Sequence, residues 1–258
     1  MKAIKKRAKG SAPGPDGISY ELVKEGGPSL FVILARFFEK LINSGTVPDE
    51  WRLARVIPLH KKGSKTKCEN YRPVSLTCCI CKILESIIKD EIFDFLSKNK
   101  LVNSTQHGFL PKKSSCTALL DFMEDVTLAM DNKHNMDVIY LDFKKAFDSV
   151  PHKRLVAKIK SYGLGEPLVS WIEAFLSDRR QFVMIGNQAS HTRKVLSGVP
   201  KGSILGPLLL LIYINDIDDL IQNSIVIKYA DDVKLYKHFE SLSTGHCELN
   251  DDLLPVLA

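Results

Sequence analysis

The chain has 258 residues, of which 45% are hydrophobic, and carries a formal net charge of +6. This length and apolar content permit a sizeable core in one large or two intertwined subdomains. The positive charge favours a polyanionic partner, and no apolar run approaches the roughly 18 residues that a membrane span requires.

The cysteines and the N-terminus indicate the compartment. The six cysteines suggest reduced thiols. The basic N-terminus has no apolar region behind it, so no signal peptide is predicted. We expect an intracellular protein of the nucleus or cytoplasm that does not span a membrane. Cys78-Cys79-Ile80-Cys81 contains a C-x-x-C spacing, for which core packing is favoured over half a zinc site.

In chain order, the patterns predict a flexible basic leader over residues 1–10 and then a mixture of helices and strands. Helical spacing covers residues 19–23, 30–42, 80–96, 115–131, 153–162 and 167–176, and a buried helix ends at Ile214. Strand-type runs cover residues 51–59, the region of Tyr71, 137–142, a hairpin of 179–186 with 190–196, and a hairpin over 225–236 that closes the ordered part. Antiparallel strands with helices packed on one side define the α+β class.

The last hairpin carries the most informative residues. Tyr229-Ala230-Asp231-Asp232 lies at its tip, between two apolar runs. Asp is depleted in strands, and a short bend there would normally use Gly or Asn. Two adjacent carboxylates repel each other unless they share a cation, so the pair suggests a Mg²⁺ site. A solvated surface turn is the alternative.

A second carboxylate strengthens the metal interpretation. The apolar run Val138-Ile139-Tyr140-Leu141 ends directly on Asp142, as expected for a buried strand beside the hairpin. Three carboxylates on two adjacent strands can hold two Mg²⁺ ions about 3.5–4 Å apart for in-line phosphoryl displacement.

Several further motifs occur in a fixed order along the chain: Ser11–Gly17, the runs Trp51 to Gly63 and Asn70 to Leu76, Gln106-His107-Gly108-Phe109, the Asp142 strand, Ser197 to Pro207, and Tyr229 to Asp232. In these motifs and their order the chain resembles the reverse transcriptases of non-LTR retrotransposons.

The resemblance implies a right-hand polymerase with an antiparallel palm sheet. The reverse transcriptase domain would cover residues 11–240, with fingers from about 11–90 and 150–197 and palm from about 91–149 and 198–240. Residues 241–258 would be a divergent tail, with no recognisable thumb. The implied partners are an RNA template, a DNA primer and deoxynucleoside triphosphates.

The resemblance also implies roles for individual residues. Asp142, Asp231 and Asp232 would be catalytic and would bind two Mg²⁺ ions, for which Mn²⁺ can substitute, with the backbone carbonyl of Phe143 completing one shell. The residues implied to contact the nucleotide are Lys61, Lys62, Arg72, Phe147, Pro200, Lys201 and Gly202. The residues implied to contact the primer or template are Tyr229, Arg179, Arg180 and Gln181. Phe147 would exclude a ribose 2′-hydroxyl by steric clash.

One residue departs from the family pattern. Lys201 occupies a position where the family usually has Gln, so a cation replaces a neutral donor and acceptor.

Three functions stay open: an RNA-directed DNA polymerase, a nucleic-acid-binding remnant that is weak or inactive as an enzyme, and an RNA-templated RNA polymerase or telomerase-like enzyme.

Overall fold

The computed structural model describes residues 10–240 and 242–257. The predicted basic leader lies, apart from residue 10, outside them. The helices are α1 (Tyr20–Glu25), α2 (Gly27–Ser44), α3 (Cys79–Lys98), α4 (Ser115–Asp131), α5 (Ala146–Ser149), α6 (His152–Ser161), α7 (Glu166–Leu176), α8 (Gly206–Ile214) and α9 (Leu242–Leu257). The strands are β1 (Leu53–His60), β2 (Tyr71–Leu76), β3 (Asn135–Asp142), β4 (Arg180–Ile185), β5 (Gln188–Ala189), β6 (Arg193–Lys194), β7 (Ile225–Tyr229) and β8 (Asp232–Phe239).

These elements form two compact units, and the α+β class is confirmed. The first unit comprises Met1–Phe95 and Phe147–Leu209, and the second comprises Leu96–Ala146 and Leu210–Ala258. Within the described residues, no helix combines the length and apolar character needed to cross a membrane.

The first unit contains a sheet in the order β2-β1-β4, in which β5 and β6 both pair with β4. The β1–β2 pair is antiparallel, as expected, but β1 and β4 run parallel, whereas the sequence analysis predicts antiparallel strands. The predicted return arm over residues 190–196 is confirmed only at β6, which pairs antiparallel with β4, whereas β5 pairs with β4 at residues 188 and 189, which were expected to form the turn. Residues 51 and 52 form a 3₁₀ turn before β1 rather than its start.

Helices supply the core of the first unit. α7 buries Trp171, Ile172 and Phe175 completely or almost completely, and α6 buries Leu155 and Ile159. The cysteines at 78, 79 and 81 are 3% exposed or less, so the predicted core packing of this segment is confirmed.

The second unit is built on a three-stranded antiparallel sheet in the order β3-β8-β7. Side chains alternate between its two faces. One face packs Val233 and Leu235 with Leu249 of α9, and the other packs Ile227 and Tyr236 with Ala118 of α4. Both faces are therefore covered, which corrects the expectation that helices pack on one side only.

Two further expectations are wrong for this unit. β3 is an edge strand rather than a buried one, and Tyr140 in it is 70% exposed. The hairpin does not close the ordered part, because α9 follows it. α9 is fixed to the unit by Asp252, whose carboxylate accepts hydrogen bonds from the backbone N–H groups of Gln222 and Asn223, both at 2.9 Å.

A buried lysine supports the β7–β8 hairpin. The side chain of Lys228 is fully buried and forms an ion pair with Asp218. Thr105 donates a hydrogen bond to the second oxygen of that carboxylate. Burial lowers the pKa of Lys228, and Asp218 opposes this shift. A desolvated ammonium needs a charged partner, so Asp218 stabilises the hairpin by pairing with Lys228 of β7.

This network predicts an unequal effect of two adjacent aspartates. Asp218→Ala should lower the free energy of unfolding by about 3 kcal/mol, since it leaves a buried charge uncompensated. Asp219→Ala is the matched control, because Asp219 is exposed. Urea denaturation of both variants measures the difference, and equal losses would contradict the buried-pair interpretation.

Candidate active site

Strand register brings the predicted carboxylates to one end of the second unit's sheet. Asp142, the last residue of β3, is the direct cross-strand partner of Asp232, the first residue of β8. Tyr229 pairs with Asp232 across the hairpin, so Ala230 and Asp231 form a two-residue turn. Directly opposed residues in an antiparallel pair have Cβ atoms about 4.5–5.5 Å apart. The backbone therefore places two carboxylates face to face, with the third in the adjoining turn.

The three carboxylates influence one another electrostatically. The pKa of Asp232 is raised, first by partial burial and then by the negative charges of Asp231 and Asp142. This repulsion is the expected result of gathering anions in one place.

The donor chemistry fits divalent cations, but the side-chain geometry is not that of a closed metal site. Carboxylate oxygens are the ligands that Mg²⁺ prefers. In the part of the chain that the structure describes, no group of three or more His, Cys, Asp or Glu side chains is arranged to hold a metal ion. The carbonyl of Phe143 accepts a hydrogen bond from the N–H of Ala146 at 3.2 Å, which leaves a second lone pair for another ligand.

The sequence analysis named Gln106 within a motif but assigned it no role at the turn. Gln106 is 2% exposed, and its side chain hydrogen-bonds to both backbone groups of Ala230. Ala230 has a left-handed backbone with φ +56°. The available signal was Ala itself, at a bend where Gly or Asn is usual.

The predicted nucleotide-binding turn is held by backbone contacts within the first unit. The N–H of Val199 donates to the carbonyl of Phe147 at 2.7 Å, and the N–H of Ser75 donates to the carbonyl of Lys201 at 2.9 Å. A Cβ added at Gly202, where φ is +106°, would lie 2.3 Å from the carbonyl oxygen of Ser75. Gly202 therefore permits a close approach to strand β2, and its contact with nucleotide stays a prediction.

A buried glutamate that the sequence analysis passed over supports the same turn. Glu85 is fully buried on α3, and one carboxylate oxygen accepts from the N–H groups of Ile204 at 2.7 Å and Leu205 at 3.0 Å. These donors precede α8, so the carboxylate caps the start of that helix. The signal was a charged residue within the apolar stretch of α3.

Several predicted binding residues line one cavity of about 170 Å³ in the first unit. Arg180, Gln181, Pro200 and Lys201 contribute to its wall together with Asp148. Lys201 forms an ion pair with Asp148, with 2.6 Å between Nζ and Oδ2. The cation that departs from the family pattern therefore has an internal partner.

The remaining predicted residues differ in their surroundings. Arg72, Lys61 and Lys62 are exposed and do not line this cavity. Arg179 does line it, but it is 3% exposed and donates to the carbonyl of Phe175 at 3.1 Å, and its contact with template stays a prediction. Tyr229 is 42% exposed beside the aspartates.

Comparison with known proteins identifies the family. The family described as reverse transcriptase (RNA-dependent DNA polymerase) matches residues 59–250. The chain belongs to the reverse transcriptase family. The match includes the Asp142 strand, the Lys201 turn and the hairpin.

Relatives of this reverse transcriptase domain are retrotransposon proteins of Drosophila melanogaster. It is 27% identical to the probable RNA-directed DNA polymerase from transposon BS over 91% of the chain, and 29% identical to that from transposon X-element over 89%. It is 28% identical to the RNA-directed DNA polymerase from mobile element jockey over 94% of the chain. The predicted resemblance to non-LTR retrotransposon enzymes is confirmed. The chain spans 26–27% of the length of these three relatives.

The carboxylate repulsion predicts a pH-dependent stability. A folded-state pKa raised above the unfolded value means that ionised Asp232 opposes folding at neutral pH, and that this cost disappears as the pH falls through the folded pKa. Asp232→Asn in EDTA should therefore raise Tm at pH 7, with an advantage that vanishes near pH 3. Asp219→Asn serves as the exposed control. A lower Tm for Asp232→Asn at pH 7 would contradict the conclusion that ionised Asp232 opposes folding.

Proposed function

We propose that this domain catalyses RNA-templated DNA synthesis by two-metal nucleotidyl transfer. The observation that carries the proposal is the β3–β8 register, which opposes Asp142 and Asp232 and leaves Asp231 in the adjoining turn. Family membership makes an RNA template, a DNA primer and deoxynucleoside triphosphates the substrates to test. We further propose that the second unit is the palm and that the first unit contains the fingers.

The three aspartates, with the carbonyl of Phe143, would hold two Mg²⁺ ions. Bound there, these ions would activate the primer 3′-hydroxyl and neutralise the leaving pyrophosphate. The chain's own contribution is to place the carboxylates at one end of the sheet. The raised pKa of Asp232 makes its ionisation more costly in the free protein, and a cation favours the ionised form.

The first unit would bind the nucleotide and template. Arg180 and Gln181 line the cavity beside Lys201, and Arg72 is exposed next to Pro73 of the same wall. A planar guanidinium suits bidentate phosphate contact. Because Asp148 neutralises Lys201, the wall presents less excess charge than a lysine in the place of Gln would otherwise bring.

Removal of one carboxylate tests the proposal. Asp231→Asn keeps the shape of the side chain but removes its charge, so primer extension should fall by more than the roughly 10–100-fold typical of an outer-shell substitution. The assay uses an RNA template, a DNA primer, dNTPs and Mg²⁺, with Asp219→Asn as control. Extension that survives in Asp231→Asn would refute the mechanism. Primer-template binding without any extension by the parent would favour the non-catalytic alternative.

A second substitution tests sugar selection. Phe147→Val reduces the proposed steric barrier, so ribonucleotide incorporation relative to deoxynucleotide should rise, by about 5- to 150-fold for a clash of about 1–3 kcal/mol. Competition between rNTPs and dNTPs in single-nucleotide extension measures this ratio. Phe37→Val is the aromatic control, since Phe37 is exposed on α2 and does not line the cavity. Unchanged selection in Phe147→Val would remove Phe147 from the site.

A further inference from the structure

We propose that Gln106 is a positioning residue that fixes the turn bearing Asp231 and Asp232. The inference rests on the proposed function, because it assigns Gln106 a role in aiming the carboxylates. Gln106 would act through the backbone of Ala230.

The side-chain amide of Gln106 forms two hydrogen bonds with the turn. Its Oε1 accepts a hydrogen bond from the N–H of Ala230 at 2.9 Å, and its Nε2 donates to the carbonyl of the same residue at 3.3 Å. The same Oε1 also accepts from the N–H of Gly108 at 2.7 Å. A neutral amide is suited to this task, because it offers a donor and an acceptor on one planar group.

The turn needs such support because of its residue type and its burial. Ala230 is 5% exposed and has φ +56°, a conformation that costs a residue with a Cβ roughly 1–2 kcal/mol. Its N–H and C=O point away from water and must be paired. Gln106 satisfies both groups in the conformation that carries Asp231.

The backbone around Gln106 is itself fixed to the hairpin. The N–H of Lys228 donates to the carbonyl of Thr105 at 2.8 Å, and the N–H of His107 donates to the carbonyl of Lys228 at 2.7 Å. A Cβ added at Gly108 would lie 2.2 Å from the backbone nitrogen of Ala230. The segment 105–108 therefore behaves as an additional short strand along β7, and only glycine at 108 permits its close approach to the turn.

The buried Lys228 also helps to hold the segment 105–108 against β7, because it shares a partner with Thr105. Thr105 donates to Asp218, which pairs with Lys228. The residues on either side of Gln106, Thr105 and His107, are therefore both held by hydrogen bonds, so the Gln106 amide has a defined position relative to Ala230. A side chain held in this way can transmit position to a neighbouring turn.

The first test removes the hydrogen bonds while keeping the length of the side chain. Gln106→Met should lower kcat of primer extension by about 100-fold, the loss typical of reacting groups misplaced by about 1 Å. KM for the dNTP should change much less, because the described contacts of Gln106 are with Ala230 and Gly108. Gln222→Met is the matched control, an exposed glutamine of the same unit.

A second substitution separates positioning from general damage. Glycine adopts the left-handed conformation without the Cβ penalty, so Ala230→Gly alone should remain near parental activity. Combined with Gln106→Met, it should restore at least about one tenth of parental kcat, a tenfold recovery of the loss that misplacement causes. Gln106→Glu keeps the acceptor and loses the donor, and should fall between the parent and Gln106→Met. A loss that Ala230→Gly fails to recover, in variants of equal Tm, would overturn the proposal.

An activity-independent measurement keeps the two proposals distinguishable. Amide hydrogen exchange should accelerate at Ala230 in Gln106→Met and stay parental in Gln222→Met. Mn²⁺ titration followed by paramagnetic relaxation should show weaker binding only in the first. If the parent does not extend primers, the proposed function fails while exchange still judges the role of Gln106. Parental exchange at Ala230 in Gln106→Met would overturn that role even if the parent is active.

Discussion

The pairing of β3 with β8 is the constraint on which the candidate active site depends. It brings together two residues, Asp142 and Asp232, that are 90 positions apart in sequence (232 − 142 = 90). Because side chains alternate along a strand, a slip of one residue would turn Asp142 to the opposite face and reverse every apolar contact of the strand. Both faces of this sheet are packed, by α4 and α9, so such a slip would lose core contacts on each side. Packing therefore enforces the register, and the register places the charges.

The same unit must tolerate charges that repel one another. Partial burial of Asp232, together with the nearby charges of Asp231 and Asp142, raises the pKa of Asp232, so its ionised form raises the free energy of the folded state in the absence of a cation. The surrounding frame counteracts this with buried hydrogen bonds and apolar contacts that do not involve the aspartates. The Lys228–Asp218 pair and the Tyr236 cluster stabilise the hairpin below its tip. The contacts that stabilise the hairpin therefore lie away from the turn that carries the proposed catalytic carboxylates.

The sequence was sufficient for local features and insufficient for contacts between distant segments. Helix α4 was predicted with its observed bounds, and the carboxylate hairpin and the buried helix α8 were located correctly. Periodicity and turn chemistry determine such elements. The parallel β1–β4 pairing, the capping of α8 by Glu85 and the contact of Gln106 with Ala230 depend on residues more than 100 positions apart. Helix α9 was missed because its pattern of apolar and acidic residues was interpreted as a divergent tail.

The burial of Lys228 has a chemical consequence. An amine that water cannot reach is also closed to acylating reagents, so Lys228 can be labelled only when the structure around its side chain opens. The exposed lysines at 61 and 62 have no such protection and provide an internal reference for reagent strength. The labelling rate of Lys228, divided by that of the exposed lysines, thus measures how often the structure around Lys228 opens.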